Sequence, residues 1–329
     1  MQPKKIFITG TTGYLGGTTL DLVSKTFPAA EYSALVRTKE QADAITSTYP
    51  SLTTIIGDIS SKDIVTTAAN AADIVIDIAG DNESGIQNIL SGLASKPDKG
   101  TLIHVSGITC LLDPSSLNLG YAAPRIYNDL DDKAEILSFE PTREHATLDQ
   151  SILRAPEEIG VNTIILSSCQ IMGNGSGSWK KDSFGHGYVK TVLGRGKGFV
   201  VEQGENVWSW CSVRDVASAI VFALDRIITG SSDIEYGKDG YYFVQTGEVS
   251  FREQARAVAT KLHQLGKLDT DAIDELSVPQ ATEIHPYAGL LWGASCRSRA
   301  DRLRAIGWSP QETDWKALMD ETVVAATAD

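Results

Sequence analysis

Short hydrophobic runs alternate with stretches of helical periodicity along the first half of the chain. Each run is nearly continuous in apolar residues, as expected for a strand that is covered on both faces. The runs span residues 6–9, 32–36, 55–56, 73–79, 102–106 and 162–166. Helical patterns lie between most of them, and the first covers residues 13–25. This alternation predicts an α/β fold with a doubly wound parallel sheet and crossover helices on both faces.

Two segments interrupt the alternation. Residues 110–143 are polar, contain three prolines and are too long for an ordinary connection. They are predicted to form either a functional loop or lid, or a solvated surface excursion, and both alternatives stay open. Residues 173–178 read GNGSGS and are predicted to form a flexible connector that leaves the sheet. Phosphate binding is disfavoured there, because no strand-to-helix turn with a Lys-Ser or Lys-Thr pair follows.

The net charge of the chain indicates which classes of binding partner to expect. The formal net charge is −13 and the pI is about 4.9, so the surface repels phosphate backbones and no nucleic-acid partner is expected. No apolar run approaches the ~20 residues that span a bilayer, and no signal-peptide pattern follows Met1. The cysteines at 110, 169, 211 and 296 form no C-x-x-C pair or zinc-ligand spacing. We therefore expect reduced thiols, no metal site, no membrane contact and a cytoplasmic location.

A glycine pattern follows the first predicted strand and opens the first predicted helix. Gly10 permits a tight turn, Gly13 lets the backbone approach a pyrophosphate, and Gly16 lets the helix pack closely on the strand. The helix N-terminus then offers unpaired N–H groups and a partial positive charge to the phosphates. The pattern predicts a Rossmann-type dinucleotide-binding unit. The residues expected to hold the cofactor here are Gly10, Thr11, Thr12, Gly13, Tyr14, Leu15 and Gly16.

The fingerprint and the change in composition along the chain suggest two units. Residues 1–170 are assigned to a Rossmann domain that binds the dinucleotide, and residues 211–228 return to it. Residues 171–210 and 229–329 are assigned to a smaller C-terminal substrate lobe, because the tryptophans concentrate there.

The residues after the second strand indicate which dinucleotide is bound. An acidic side chain there would accept the ribose 2′-hydroxyl of NAD and repel a 2′-phosphate. The chain has Arg37 and Lys39 instead, and both can pair with a phosphate group. We therefore predict NADP(H) as the cofactor, while ordinary surface charges are the alternative explanation for both residues.

Two further strand ends complete the predicted cofactor site. Asp58 follows the third strand and is placed to accept a hydrogen bond from the adenine amino group, with Ile59 against the ring. A helix N-cap is the other role open to Asp58. Ala79 and Gly80 end the fourth strand, where small residues let the ribose lie close.

Together these residues resemble the short-chain dehydrogenase/reductase superfamily of NAD(P)-binding Rossmann proteins, in its extended and atypical (NmrA-like) branches. The segments that carry the resemblance are residues 9–16, 57–58, 104–106, 212–217, 299–303 and 307–310. The resemblance implies a core of six or seven strands, with a small lobe over the strand ends and the substrate in the cleft between them. It also implies that Ser106 lies in the active-site serine region and that Ser168 and Cys169 pass over the nicotinamide.

The superfamily's usual catalytic pair, a tyrosine with a lysine four residues later, is missing from its expected place. In those enzymes the lysine lowers the tyrosine pKa, and the tyrosine passes a proton to the carbonyl oxygen. The corresponding positions here fall near His145 and Asp149. Tyr127, Ser106 and Thr109 are therefore the predicted proton donors. His145 is an open alternative because histidine titrates near neutral pH, although an ordinary surface or interface position also explains it.

Aromatic residues in the second half of the chain suggest what the substrate is. They can line an apolar pocket for an aromatic or polycyclic molecule, or they can simply pack in the core. The residues concerned are Trp179, Trp208, Trp210, Tyr287 and Trp292.

We therefore expect an NADPH-dependent oxidoreductase that reduces a carbonyl, imine or related group of a small metabolite, as a monomer or homodimer. Because the cofactor carries the hydride chemistry, an unusual proton donor does not exclude this function. Two alternatives stay open. One is a cofactor-dependent isomerase, epimerase or dehydratase without net redox change, and the other is a non-catalytic NADP(H)-binding sensor or regulator.

Overall fold

The computed structural model describes residues 3–113, 117–177 and 183–328. In chain order, the strands are β1 (Lys5–Ile8), β2 (Glu31–Val36), β3 (Thr53–Ile56), β4 (Ile74–Asp77), β5 (Thr101–Gly107), β6 (Tyr127–Asn128), β7 (Asn162–Ser168), β8 (Gln170–Met172), β9 (Gly198–Val201), β10 (Val207–Ser212), β11 (Tyr241–Val244), β12 (Gly247–Ser250), β13 (Ile273–Leu276) and β14 (Ser298–Arg299). The α-helices are α1 (Tyr14–Thr26), α2 (Lys39–Thr48), α3 (Lys62–Ala71), α4 (Glu83–Ala94), α5 (Lys133–Ile136), α6 (Ala146–Ile159), α7 (Ser183–Arg195), α8 (Val213–Thr229), α9 (Phe251–Gln264), α10 (Val278–Ile284), α11 (Asp301–Ala305) and α12 (Trp315–Thr327).

A parallel sheet forms the centre of the described structure. Its seven strands follow the order β3-β2-β1-β4-β5-β7-β11, and each neighbouring pair is parallel. The order reverses next to β1, which creates a crevice at the carboxyl ends of the strands where α/β proteins bind ligands. The doubly wound Rossmann-type α/β fold predicted from the sequence is confirmed.

The seventh strand corrects the predicted domain assignment. β11 was expected in the substrate lobe, within residues 229–329, but it pairs in parallel with β7 at the edge of the main sheet. All four of its residues, YYFV, are buried. Such a short aromatic run carries no periodicity that separates a sheet strand from a lobe strand, so the composition of the surrounding region misassigned it.

Helices cover the sheet in two groups. α1 packs against α8, while α3 packs against α4, and α4 also contacts α6. The side chain of Ser212 caps α8 by accepting a hydrogen bond from the amide of Asp215 at 2.9 Å. The apolar face of α8 joins the same core as β1 and β7, so residues 213–229 lie against the Rossmann sheet.

A second hydrophobic core belongs to the C-terminal lobe. It is formed by side chains of α7, α9 and α12 together with β9, and Tyr188, Phe199 and Trp292 pack edge to face within it. The lobe also contains the small sheet β8-β10-β12 and the strand pair β9-β13.

The long polar segment is held firmly to both units. Its strand β6 pairs with β14, and the buried carboxylate of Asp129 accepts hydrogen bonds from three backbone amides. The amide of Phe243 donates at 2.9 Å, and those of Asp301 and Arg302 donate at 2.9 and 3.1 Å. The described part of this segment is therefore anchored to both units through β6 and Asp129, while most of residues 121–135 are exposed to solvent.

The glycine-rich segment, predicted to be a flexible connector, packs closely on α1 instead. A Cβ added to Gly177 would lie 2.4 Å from the Cα of Gly17, and one added to Gly175 would lie 2.8 Å from the hydroxyl of Thr18. The Tyr14 hydroxyl also donates to the carbonyl of Gly173 at 2.5 Å. The glycines are needed here for the close approach of two backbones.

Among the described residues, no helix has both the length and the apolar character needed to cross a membrane. All four cysteines are buried and free.

Candidate functional site

The glycine turn has the geometry that its sequence predicts. Gly10 has φ +72°, and a Cβ there would lie 2.6 Å from the carbonyl oxygen of Ile78. A Cβ on Gly16 would lie 2.0 Å from the carbonyl oxygen of Gly10. Gly13 begins α1, and no side chain of the described residues caps this end. The first amides of α1 are thus left for a ligand such as a phosphate.

The side chains around this turn divide into two groups. Thr11 is buried, and its hydroxyl has no partner in the described structure, so a phosphate or ribose oxygen is a suitable partner for it. Leu15 packs in the core of the sheet and does not face the crevice. Tyr14 lines a cavity beyond the turn, on the side of β5.

The first of two cavities, here called the β2 cavity, lies over the carboxyl ends of β1 to β4. Its volume is about 310 Å³. The lining residues are Gly10, Thr12, Gly13, Leu35, Val36, Arg37, Gln41, Gly57, Asp58, Ile59, Ile78 and Ala79. The predicted contacts of the adenosine half of the cofactor therefore converge on one cavity.

Three charged residues predicted at this cavity differ in their placement. Arg37 lines the cavity and forms no ion pair with the described residues. Lys39 does not line the cavity. It is the first residue of α2, and its ammonium group forms an ion pair with Asp43 at 2.9 Å on the protein surface. Asp58 accepts hydrogen bonds from the amide and hydroxyl of Ser60, at 2.9 and 2.7 Å, and these bonds lower its pKa.

The N-cap of α3 is Ser61, so the alternative role of Asp58 as the N-cap is wrong. Gly80 follows Ala79 with φ +87°, and a Cβ there would meet nothing within 4 Å.

The second cavity, here called the β5 cavity, lies beyond the glycine turn and has a volume of about 410 Å³. Its lining residues are Tyr14, Gly107, Ile108, Thr109, Leu112, Glu144, His145, Ser168, Cys169, Gln170, Ile171, Phe184, Trp208, Leu290 and Leu291. Most of this lining is apolar. Glu144 and His145 also line it, and the described lining contains no lysine or arginine.

The predicted proton donors are not brought together. Thr109 lines the β5 cavity, and its buried hydroxyl oxygen has no partner among the described residues. Ser106 lies behind the cavity wall, where its hydroxyl donates to Asp149 at 3.0 Å. Ser168 and Cys169 line the cavity as expected, but burial raises the pKa of the Cys169 thiol well above its ordinary value, which makes it a poor nucleophile.

Tyr127 corrects another prediction. Its ring packs edge-on against Phe139 at 5.5 Å and under the guanidinium of Arg125 at 4.5 Å. It lines a separate cavity of about 250 Å³ with Arg143 and Arg297, and it is not among the described residues of the β5 cavity. The Asp129 contacts and the pairing of β6 with β14 hold Tyr127 in this separate cavity, which gives no support to its predicted role as proton donor.

A histidine–aspartate dyad lies near the position that the resemblance assigns to the tyrosine. His145 precedes α6 with φ +64°, and its Nδ1 contacts the carboxylate of Asp81. A Cβ added to Gly107 would lie 2.8 Å from the Nε2 of His145, so this nitrogen lies over the end of β5. Because a carboxylate only accepts hydrogen bonds, the contact assigns a proton to Nδ1 and leaves Nε2 for acid–base chemistry.

A second histidine lies behind the dyad. His104 is fully buried in β5, and its Nδ1 donates to Asp77 at 2.8 Å. Asp77 also accepts a hydrogen bond from the hydroxyl of Thr9 at 2.5 Å. The Nε2 of His104 has no hydrogen-bond partner in the described structure, and it lies 3.9 Å from the Asp81 carboxylate.

The pKa directions follow from this arrangement of charges. Burial opposes charging of His145, but the hydrogen bond and charge of Asp81 raise its pKa above the ordinary value. Burial would raise the pKa of Asp81, yet His145 and His104 lower it. Burial is the main cause that raises the pKa of Asp149 to about 6. Perturbed groups gathered at a cavity are typical of catalytic sites.

Sequence reasoning missed Asp77, Asp81 and His104. A signal existed, because Asp77 ends the apolar strand β4 and His104 stands inside the apolar run of β5, and both side chains are buried. The two residues are also direct partners in the register of β4 and β5. A polar side chain in a buried parallel strand is costly unless it is paired, which marks such positions for attention.

The aromatic residues predicted to form a substrate pocket are dispersed. Trp208 lines the β5 cavity with Phe184, their ring centroids 5.6 Å apart. Trp210 and Trp292 pack in the core of the lobe, and Tyr287 is exposed. Trp179 lies outside the described residues.

Comparison with known sequences and structures supports the same fold. A model of the NAD dependent epimerase/dehydratase family matches residues 125–237. Oxidase ucsJ from Acremonium sp. is 27% identical over 325 residues, which cover 93% of this chain and 93% of that protein.

Two solved structures share the architecture over almost their whole length. One is DesIV, a dTDP-glucose 4,6-dehydratase from Streptomyces venezuelae with NAD and TYD bound, with a TM-score of 0.71 and 17% identity, covering 99% of this chain and 97% of that chain. The other is UDP-N-acetylglucosamine 4-epimerase from Bacillus cereus, with a TM-score of 0.65 and 13% identity, covering 98% and 96%. The fold is thereby shared with a dehydratase and an epimerase of known structure, while membership of the short-chain dehydrogenase/reductase superfamily and of its NmrA-like branch stays a prediction.

Proposed function

We propose that the protein is an NADP(H)-dependent oxidoreductase that transfers hydride to or from a carbonyl, imine or corresponding alcohol or amine carbon of a small apolar metabolite. The observation that carries this proposal is the Asp81–His145 dyad at the β5 cavity. It supplies a proton-transfer group on the nicotinamide side of a dinucleotide crevice, where the tyrosine–lysine pair is missing.

The residues present fit a dinucleotide. The Gly10–Gly13 turn and the free end of α1 suit the pyrophosphate, and the unpartnered hydroxyl of Thr11 offers it a further hydrogen bond. Arg37 suits a 2′-phosphate. The nicotinamide, when bound, supplies or accepts the hydride. Solved neighbours hold NAD in the same fold, which supports a nicotinamide dinucleotide here without choosing between the two forms.

His145 moves the proton that accompanies the hydride. In reduction, protonated Nε2 donates to the substrate oxygen or nitrogen as that atom gains charge, and in oxidation neutral Nε2 accepts the same proton. The raised pKa of His145 keeps more of it protonated near neutral pH, which favours the reductive direction. The hydroxyl of Thr109 is available to hydrogen-bond the reacting atom.

The lining of the β5 cavity indicates the substrate class. Ile108, Ile171, Phe184, Trp208 and Leu291 form apolar walls that suit an apolar, aromatic or polycyclic body. A sugar nucleotide carries a diphosphate, and recognition of phosphate calls for arginine or lysine. The described lining provides neither, so we infer that the substrate lacks a diphosphate.

The alternative of epimerisation or dehydration without net redox change rests on the family model over residues 125–237. It uses the same dyad and cofactor, but the hydride returns to the product. The two functions would use the same site residues, so only a measurement of net cofactor consumption distinguishes them.

The test combines a substrate panel with one variant. Purified protein is incubated with NADPH and apolar aldehydes, ketones and imines, or with NADP⁺ and the matching alcohols and amines, while the reduced-cofactor absorbance is followed. His145→Gln should lower kcat by about 10²–10⁴-fold with unchanged NADPH affinity. The control His263→Gln, an exposed position on α9, should behave as the parent protein.

Product without net cofactor consumption would move the assignment to the epimerase or dehydratase alternative. Tight NADPH binding with no turnover on any substrate would favour the sensor alternative. Full activity of His145→Gln would remove the dyad from the mechanism.

A further inference from the structure

The buried histidine beneath the dyad has no role in the mechanism above. His104 lies in β5 between β4 and β7, with Asp77 and Ile165 as its register partners. It is fully buried, and an unpaired polar ring at such a position would be strongly destabilising. Each ring nitrogen of a buried histidine is therefore expected to have a polar partner, but only Nδ1 of His104 forms a hydrogen bond.

The ring of His104 is fixed from one side. Asp77 accepts both the Nδ1–H of His104, at 2.8 Å, and the hydroxyl of Thr9, at 2.5 Å. The Thr9 hydroxyl oxygen in turn accepts a hydrogen bond from the amide of Ile78 at 3.1 Å. The Asp77 carboxylate thus has a defined orientation and holds Nδ1 as a donor, and the only open question is whether Nε2 also carries a proton.

The charged groups that act on the His104 ring are carboxylates. The nearest carboxylate oxygen is Oδ1 of Asp81, at 3.9 Å, while the other oxygen of Asp81 contacts His145. Asp149, whose charge also acts on His104, has a buried oxygen without a partner in the described structure. A neutral nitrogen with its lone pair facing carboxylates would be repelled, whereas a protonated one is attracted to them.

We propose that His104 is a positioning residue for the Asp81–His145 dyad, a buried imidazolium whose Nε2–H is directed at the oxygen of Asp81 that His145 does not use. The proposal deepens the proposed function, on which it rests. Asp81 then lies between two imidazoles, which fixes the rotation of its carboxylate and keeps it ionised.

The charge count shows why this matters for His145. Asp77, Asp81 and Asp149 place three carboxylates around two histidines within the buried cluster. Of these, Asp81 and Asp149 raise the pKa of His145, as does Glu144, and a protonated His104 sets one positive charge against them where a neutral His104 sets none. The positive charge of His104 therefore counteracts the rise in the pKa of His145 that the carboxylates cause, so that His145 can release its proton as well as hold it.

Other titratable groups packed around the cluster do not replace this charge. Glu144 acts on His145, and Cys110 and Tyr241 face Asp149. Arg143 acts on Cys110, with its guanidinium stacked on Phe139 at 4.0 Å and near the Cys110 carbonyl at 3.3 Å. In the described structure, His104 is the imidazole that lies between Asp77 and Asp81.

The first test uses the unaltered protein and needs no turnover. With ¹⁵N-labelled histidine, the ring-nitrogen shifts of the five histidines are followed from pH 5 to 9 and assigned with single Gln variants at positions 145, 186, 263 and 285. His104 should show two protonated ring nitrogens through pH 7. A neutral His104 ring at pH 6–7 would overturn the proposal.

The second test asks whether His104 acts on His145. In His104→Gln, the titration midpoint of His145 should rise by about one pH unit, and the alkaline limb of the kcat profile for reduction should move with it. His263→Gln should leave both in place. A folded His104→Gln protein with an unmoved His145 midpoint would overturn the proposal. Because the midpoint is read without substrate, failure here is distinct from failure of the proposed function, which only the turnover of His145→Gln tests.

Discussion

The two cavities of the crevice depend on different kinds of structural information. The β2 cavity is built from glycines and strand-end residues that follow one another closely along the chain. The β5 cavity takes its reactive groups from the end of β4, from β5 and from the start of α6. Phosphate binding rests on backbone amides, which a local motif specifies. Proton transfer rests on side chains that only tertiary structure brings together.

This contrast also separates what is shared with the structural neighbours from what is particular to this chain. The overall fold is similar to that of a dTDP-glucose 4,6-dehydratase and a UDP-N-acetylglucosamine 4-epimerase of known structure. The positions of the usual tyrosine and lysine hold His145 and Asp149, one α6 turn apart, with the Asp149 amide donating to the His145 carbonyl at 2.9 Å. The proposed function therefore places different side chains on a shared fold.

The largest effect is expected from damage to the glycine turn. In Gly16→Ala, the new Cβ would overlap the Gly10 carbonyl oxygen, 2.0 Å away, so the turn and α1 must separate. The free energy of unfolding should fall by about 3 kcal/mol or more, and NADPH binding should be lost. Gly194→Ala, where nothing lies within 4 Å, is the control for chemical denaturation and calorimetry. Equal stability of the two variants would contradict the turn geometry.

A methyl group added at the β5 cavity should lower kcat and leave NADPH binding unchanged. In Gly107→Ala, the Cβ would press on Nε2 of His145 at 2.8 Å and displace the imidazole from the reacting atom. We expect kcat to fall by about 10²-fold while the dissociation constant of NADPH stays within twofold. Gly187→Ala, with open space around it, is the matched control. If NADPH binding fell as far as kcat, the two cavities would not be functionally separate.

The buried carboxylate of Asp149 should leave a signature in stability against pH. Its pKa is about 6 in the folded protein against 3.8 in the reference state, so the folded state binds more protons between these values. Its contribution to stability is complete below about pH 4 and is lost as the pH rises towards 6.

Asp149→Asn should therefore be more stable than the parent protein at pH 7.5, by up to about 3 kcal/mol, and the difference should vanish near pH 4. Urea denaturation at both pH values measures it. If Asp149→Asn were destabilised equally at pH 7.5 and pH 4, the pKa of the Asp149 carboxyl would not be raised in the folded protein.

The smallest effect is expected at the exposed edge of the β2 cavity. Arg37→Asp should weaken NADPH binding by about tenfold and shift preference towards NADH, because the guanidinium faces the cavity without an ion pair. Lys39→Ala should change little, since Lys39 pairs with Asp43 outside the cavity. Titration calorimetry with both dinucleotides distinguishes the two residues. If Arg37→Asp bound NADPH as the parent does, NADP(H) would be the wrong cofactor.

The predictable part of the structure follows from periodicity. The six predicted strands are confirmed as β1 to β5 and β7, because each is an apolar run flanked by helical patterns. β11 was misassigned because four aromatic and apolar residues carry too short a pattern. At the site, Arg37, Asp58 and Thr109 face the expected cavities.

The less predictable part depends on long-range contacts. Tyr127 was misplaced because Asp129, bound to amides more than a hundred residues away, sets the course of β6. Asp81 and His104 come close to His145 only when β4, β5 and α6 pack together in the folded structure. The spacing of these residues along the chain does not predict that packing, although polar residues in buried strands indicate positions that need a partner.

The pH dependence of single-turnover hydride transfer tests the central claim most directly. With NADPH and a reducible substrate bound, the parent protein should lose rate as the pH rises through the raised pKa of His145. His145→Gln should be slow and lack this limb, while His263→Gln should retain it. The same limb at the same pH in His145→Gln would contradict the account, because another group would then be supplying the proton.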